Sequence, residues 1–240
     1  MAGRVPSDVG GYVLAGGKSS RMGKDKALLE LSGRPLALRA VTKLQRVCAD
    51  VQILSARPAL EVFAPLVRDI HEGCGPMGGL EAALGHSRHD WNLFLPVDMP
   101  FLPTAFLDHW VRTVVAREGM GARIAMFTVN GIPQPLFSML HREVAGFVDE
   151  AMRRGDYKVF PMLEAAGKEL AARQGVLLGN SFLNLPWVEG SMFTYDQDAE
   201  EAEPWMVTEA QRAAKHLWFV NLNTPEEFAE AETYLDALDT

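Results

Sequence analysis

Residues 13–26 read Val13-Leu14-Ala15-Gly16-Gly17-Lys18-Ser19-Ser20-Arg21-Met22-Gly23-Lys24-Asp25-Lys26, a short apolar strand running into a glycine-broken basic loop. Gly16, Gly17 and Gly23 let backbone amides approach anionic oxygens closely. Lys18, Arg21, Lys24 and Lys26 outweigh the single acid Asp25. A loop of this composition suits a polyphosphate. It is cationic in a chain whose 23 Lys and Arg face 31 Asp and Glu, a net charge of −8.

Outward from that loop, strands and helices alternate. Pro35 is placed to be the first helical residue, with Leu36, Ala40, Val41, Leu44 and Val47 at helical spacing. Val51–Leu54 reads as the next strand, and Leu93–Leu95 with Val97 as a buried one ending at Asp98. Thr104 is placed to cap a helix carrying Phe106, Leu107, Trp110, Val111, Val114 and Val115. Further strands are expected at 123–129, 136–140 and 217–220, and helices near 141–154 and 225–238. The alternation predicts an α/β, Rossmann-like fold, a mostly parallel sheet with helices on both faces. In such a sheet ligands bind beyond the carboxyl ends of the strands, where both the basic loop and Asp98 are expected to emerge.

The 240 residues are expected to form one domain, with a possible inserted surface segment at 175–215 that carries exposed Trp187 and Trp205 and the acidic run 196–203. No apolar run approaches the roughly 20 residues of a bilayer span. The first residues carry no apolar stretch of signal-peptide type. A cytoplasmic location is therefore expected. The negative charge disfavours nucleic-acid binding, which draws its affinity from Lys and Arg. Cys48 and Cys74 have no metal-ligand or Cys-x-x-Cys spacing and read as reduced thiols, and the histidines form no zinc motif.

Neither familiar phosphate-loop pattern fits. Gly17-Lys18-Ser19 would end a Walker loop, but Tyr12 stands where its first glycine belongs; for Gly23-Lys24 that position is Lys18. The dinucleotide fingerprint fails because Ser19 stands two residues after Gly17. What remains is Leu-Ala-Gly-Gly-x-Ser-x-Arg-Met-Gly-x-Asp-Lys over residues 14–26. With Gly75-Pro76-Met77-Gly78-Gly79-Leu80, Leu95-Pro96-Val97-Asp98-Met99-Pro100 and Asn221-Leu222-Asn223-Thr224-Pro225-Glu226-Glu227, it resembles the molybdenum cofactor guanylyltransferase family. Members of that family join a guanylate group to molybdopterin.

The resemblance implies GTP and molybdopterin or molybdenum cofactor as substrates, Mg²⁺ as cofactor, and molybdenum cofactor delivery proteins as partners. It implies nucleotide contacts at Leu14, Ala15, Gly16 and Gly17, then at Lys26, Ser55, Asp69, Gly78 and Asp98. Ser55 departs from the family, which commonly carries asparagine there, and Asp69 reads equally well as a surface carboxylate beside Arg68.

Charge assigns the remaining roles. Arg21 offers a planar fork for phosphate oxygens and Lys26 a compact ammonium for the α-phosphate or the leaving group, whereas Lys18 and Lys24 read equally as solvated loop lysines. Asp98 is the candidate Mg²⁺ ligand, since this hard cation takes few protein carboxylates and fills its shell with water and phosphates. It could instead cap the helix that follows. Arg21, Lys26 and Asp98 are the candidate catalytic residues, and Asn221 and Asn223, expected at the end of the last strand, the acceptor-binding ones. Thr224 with Glu227 reads as a capping box behind Pro225. Two other readings remain: a related transferase using CTP or a sugar-phosphate acceptor, and a noncatalytic nucleotide-binding module.

Overall fold

The computed structural model describes residues 9–16, 25–187 and 205–239. Strands β1 (Val9–Leu14), β4 (Asp50–Leu54), β5 (Leu66–Val67), β6 (Trp91–Pro96), β7 (Ile124–Val129), β8 (Ile132–His141) and β9 (Phe182–Trp187) form one seven-stranded sheet in the order β5-β4-β1-β6-β8-β7-β9. A separate two-stranded ladder pairs β2 (Glu30–Leu31) with β3 (Arg34–Pro35). In the large sheet β5, β4, β1 and β6 run parallel, and only β8 lies antiparallel to its neighbours β6 and β7. The mostly parallel sheet expected from sequence is present.

Alternation along the strands sends side chains into two cores. Val9 and Val13 of β1 and Leu93 and Leu95 of β6 join one, which also buries Leu36, Val41 and Leu44 of α1 (Leu36–Val47). The same core holds Phe106, Trp110 and Val111 of the helix Thr104–Ala116. Tyr12 and Phe94 point the other way and stack with ring centroids 5.4 Å apart. They meet α2 (Pro76–His86); the long helix Thr104–Ala116 is α3, and α4 (Ala145–Arg154) and α5 (Val159–Gln174) complete this second core. Helices thus cover both faces, as period-two burial of the central strands requires. Short helices α6 (Leu178–Ser181), α7 (Glu209–Ala213) and α8 (Pro225–Ala231) follow. Cys48 and Cys74 are buried free thiols.

Four local expectations change. Pro35 lies just before α1, with the extended backbone its pairing to Glu30 demands. Thr104 is the first residue of α3 and makes no capping bond of its own; the carboxylate of Asp239 caps the helix from outside, accepting from Thr104 N (3.0 Å) and Oγ1 (2.6 Å). A side chain distant in sequence therefore does what a local signal seemed to do.

Residues 217–220 form no strand. Leu217 ends a 3₁₀ turn, and Trp218 and Phe219 are buried in an aromatic cluster with Phe106, Phe127 and Trp187. The β-type composition reflects that packing rather than a ladder. The 175–215 stretch is not wholly a surface addition either. β9 pairs parallel with β7, and Trp187 and Trp205, expected on the surface, are 4% and 5% exposed and both pack against Phe106. The acidic run 196–203 lies outside the described residues.

Candidate functional site

The carboxyl ends of the four parallel strands lie side by side. Val97 N donates to Leu14 O at 3.1 Å, Ala15 N to Leu54 O at 3.3 Å, and Ser55 N to Val67 O at 3.1 Å. These bonds bring Leu14, Ala15, Gly16, Ser55 and Asp98 to one edge of the sheet. They also occupy the Ala15 amide within the sheet. Gly17 and Arg21, with Lys18 and Lys24, lie outside the described residues.

The chain re-enters at Asp25, whose carboxylate caps a 3₁₀ turn over Lys26–Leu28 by accepting from Ala27 N at 3.1 Å. The same carboxylate is ion-paired with Arg57, a partner that no local pattern indicates. Asp25 thus fixes the turn that aims Lys26. The Lys26 ammonium donates to Asp98 Oδ2 at 2.6 Å and to Asn223 Oδ1 at 2.6 Å. Residues 72 and 197 positions away in sequence meet on one nitrogen. Asp98 sits two residues beyond the last residue of β6, and the turn following it is held from the other side, where Leu222 N donates to Asp98 O at 3.0 Å.

Asp98 Oδ1 is buried and accepts no hydrogen bond from any described residue. A buried carboxylate oxygen without a donor is costly. Such an oxygen, hard and anionic at the carboxyl edge of the sheet, suits a divalent cation. Among the described residues no group of three or more His, Cys, Asp and Glu could hold a metal, so phosphates and water would have to supply the remaining ligands.

The other expected contacts are mixed. Ser55 is buried and its Oγ accepts from Arg57 N at 3.2 Å, so its oxygen already serves a local turn. Asp69 is exposed and lies against Gly78: a Cβ at Gly78 would stand 3.2 Å from Asp69 Oδ2 and 3.1 Å from His71 O, so a side chain there would press on both. Partial desolvation of the carboxyl against α2, then the charges of Glu81 and Glu72, push the Asp69 carboxyl above its ordinary value. Gly75, at φ +60°, turns the chain into α2, with Pro76 at its first position. Asn221 and Asn223 lie on an irregular segment and not at a strand end; Asn223 faces Lys26, and Asn221 contributes its carbonyl to Asn223 Nδ2 at 3.0 Å. The capping box of Thr224 and Glu227 is present.

In an open α/β sheet ligands bind at the carboxyl edge of the strands, and there a lysine, an aspartate and an asparagine converge. Over residues 11–170 the chain matches the MobA-like NTP transferase domain, and it belongs to that family. A protein named molybdenum cofactor guanylyltransferase from Vibrio atlanticus is 33% identical over 159 residues, 65% of this chain and 80% of that protein. Its namesake from Serratia proteamaculans is 30% identical over 175 residues, 70% and 85% of the two chains. Among solved structures, molybdopterin-guanine dinucleotide biosynthesis protein A from Archaeoglobus fulgidus superposes with a TM-score of 0.64 at 19% identity, covering 95% of this chain and 98% of that one. No helix among the described residues is long and apolar enough to cross a membrane.

Proposed function

We propose that this protein transfers the guanylate group of GTP to molybdopterin and releases pyrophosphate. The observation that carries the reading is the meeting of Lys26, Asp98 and Asn223 at the carboxyl edge of the sheet, in a chain of the MobA-like family. A phosphate oxygen of the acceptor attacks the α-phosphorus of GTP, and the bond from that phosphorus to the pyrophosphate oxygen breaks. The protein's contribution is placement and charge.

Lys26 is aimed by the Asp25-capped turn and held by two oxygens, leaving one of its three protons for a phosphate oxygen. Arg21 adds a second cation, able to bridge two oxygens. Asp98 Oδ1 would hold Mg²⁺, which when bound neutralises phosphate charge and orients the leaving group. Leu14, Ala15, Gly16, Gly17, Ser55, Asp69 and Gly78 are the residues that would contact the nucleotide. Asn221 and Asn223 border the acceptor. Molybdenum cofactor delivery proteins are the partners that would take the product.

The test is a panel of nucleoside triphosphates incubated with Mg²⁺ and molybdopterin, with pyrophosphate release and the dinucleotide product both measured. GTP alone should give product. Product from CTP would redirect the reading to a cytidylyl transfer, and no product from any triphosphate would sink it.

A further inference from the structure

In an ordinary capping box the glutamate of the first turn accepts only from the backbone N–H of the capping residue. Glu227 does more. Its Oε2 accepts from Thr224 N at 2.8 Å, and the same oxygen also accepts from the backbone N–H of Asn223, one residue outside the box. The box is complete without that second bond, because Thr224 Oγ1 accepts from Glu227 N at 3.2 Å.

The extra bond bears on the site. Asn223 is exposed, and an exposed amide side chain is ordinarily free to choose among rotamers. Here its backbone is pinned by Glu227, its Nδ2 by Asn221 O at 3.0 Å, and its Oδ1 is thereby turned to Lys26 Nζ. The amide cannot flip without losing both side-chain bonds, since Nδ2 cannot accept from an ammonium and Oδ1 cannot donate to a carbonyl. The neighbouring Leu222 N holds the Asp98 backbone, so one short segment registers both members of the Lys26–Asp98 pair. We infer that Glu227 is a positioning residue: through Asn223 it fixes the Lys26 ammonium in the geometry that transfer requires.

The inference rests on the proposed transfer in making Lys26 the group that meets phosphate, but the placement of Lys26 can be read without any reaction. Wild type, Glu227→Ala, Glu227→Gln and Thr224→Ala are compared, with Lys26→Ala alone and combined with Glu227→Ala as references. Thr224→Ala removes one bond of the box and leaves the Asn223 amide bonded, so it reports what loss of helix capping alone does. The first readout is the mobility of the Lys26 ammonium by ¹⁵N relaxation on free protein, its signal assigned by its loss in Lys26→Ala. The ammonium should be ordered in wild type, Thr224→Ala and Glu227→Gln, whose amide oxygen can still accept, and loosened in Glu227→Ala.

The second readout is turnover. Glu227→Ala should lose on the order of tenfold or more in kcat, because small misplacement of a charged group costs that much. Glu227→Gln should recover most of it, and Thr224→Ala should keep near wild-type kcat while losing as much in Tm. In a Lys26→Ala background, Glu227→Ala should add no further loss of kcat. A Glu227→Ala protein whose Lys26 signal and kcat match those of Thr224→Ala would overturn the inference. Wild type that keeps an ordered Lys26 but transfers no guanylate would instead overturn the proposed reaction.

Discussion

Two lysine–aspartate pairs join distant parts of this chain, and they are finished differently. Lys43 is 4% exposed and donates to Leu102 O at 2.7 Å and to Asp239. Both Asp239 oxygens are used: Oδ2 takes Lys43, Thr104 N and Thr104 Oγ1, while Oδ1 takes Gln211 Nε2 at 2.8 Å. The Lys26–Asp98 pair is 15% and 18% exposed and leaves one carboxylate oxygen buried without a partner among the described residues. A saturated pair can only hold the fold together, here tying α1 to the start of α3 and the C-terminal tail. A carboxylate oxygen that no described residue takes keeps capacity for a cation. The contrast predicts that damage to the first pair appears as lost stability and damage to the second as lost chemistry.

The largest effect is expected at Lys26. Removing a positioned cation from a transition state of concentrated phosphate charge costs on the order of 10²- to 10³-fold in rate, about 3–4 kcal/mol. Lys26→Ala should lose that much in kcat, with a smaller loss of Tm than removal of the Lys43–Asp239 pair, because Lys26 and Asp98 are the more exposed of the two pairs. Purified variant with near wild-type turnover would erase the distinction between the pairs.

Asp239→Ala is the converse. It leaves the Lys43 ammonium buried and the first amide of α3 without its acceptor. Breaking a buried pair from one side costs about 3–5 kcal/mol, and the lower end applies because the Asp239 side chain is 16% exposed. Denaturant unfolding should show a loss of about 3 kcal/mol, with kcat of the folded protein unchanged. A collapse of kcat in protein shown to be folded would mean that the C-terminal tail serves the crevice too.

Asp98→Asn keeps the shape of the carboxylate and removes its charge, both at the orphaned oxygen and at the one paired with Lys26. Activity should fall roughly tenfold or more, at the level of one lost electrostatic contact. The Mg²⁺ concentration for half-maximal rate should rise as well. A magnesium titration that superimposes on wild type would remove the cation from Asp98.

How much of this was legible in the sequence differs between the pairs. Lys26 and Asp98 each sit inside a local pattern, a glycine-broken basic loop and a charged residue ending an apolar strand, so short-range reading finds both. That Asp98 and Asn223 meet on the Lys26 ammonium, across 72 and 197 residues, could not be read from spacing. Lys43 carries no such mark: it looks like one more cation on an amphipathic helix. Asp239 looks like a residue of a polar tail. Thr104 resembles a cap because capping residues are marked locally, and the sequence holds no trace of an acceptor 135 residues away. The aromatic run 217–220 misled in the same way, since β-propensity measures a fit to half-buried surfaces as much as to strands. Trp187 and Trp205 stood amid acids and prolines, and only the Phe106 cluster reveals why they are there.

The smallest expected effect concerns acid. Burial alone would push the Asp239 carboxyl up, but the charge of Lys43 and the bonds from Lys43 and Thr104 outweigh it and hold the group below its ordinary value of 3.8. A carboxyl whose folded pKa is depressed adds stability that is fully present above the unfolded value and is lost as pH falls through the folded one. Asp239→Asn keeps an oxygen able to accept from Thr104 and has no proton to gain. The stability gap between wild type and this variant should therefore hold steady from pH 7 down to about 5 and then narrow below about pH 4. Other carboxyl groups titrate in the same range, but they are common to both proteins and cancel in the difference. Urea midpoints measured across that range check it. A gap that stays constant down to pH 3 would show that Asp239 draws its contribution from hydrogen bonds that either protonation state can make, and the saturated pair would then owe nothing to its charge.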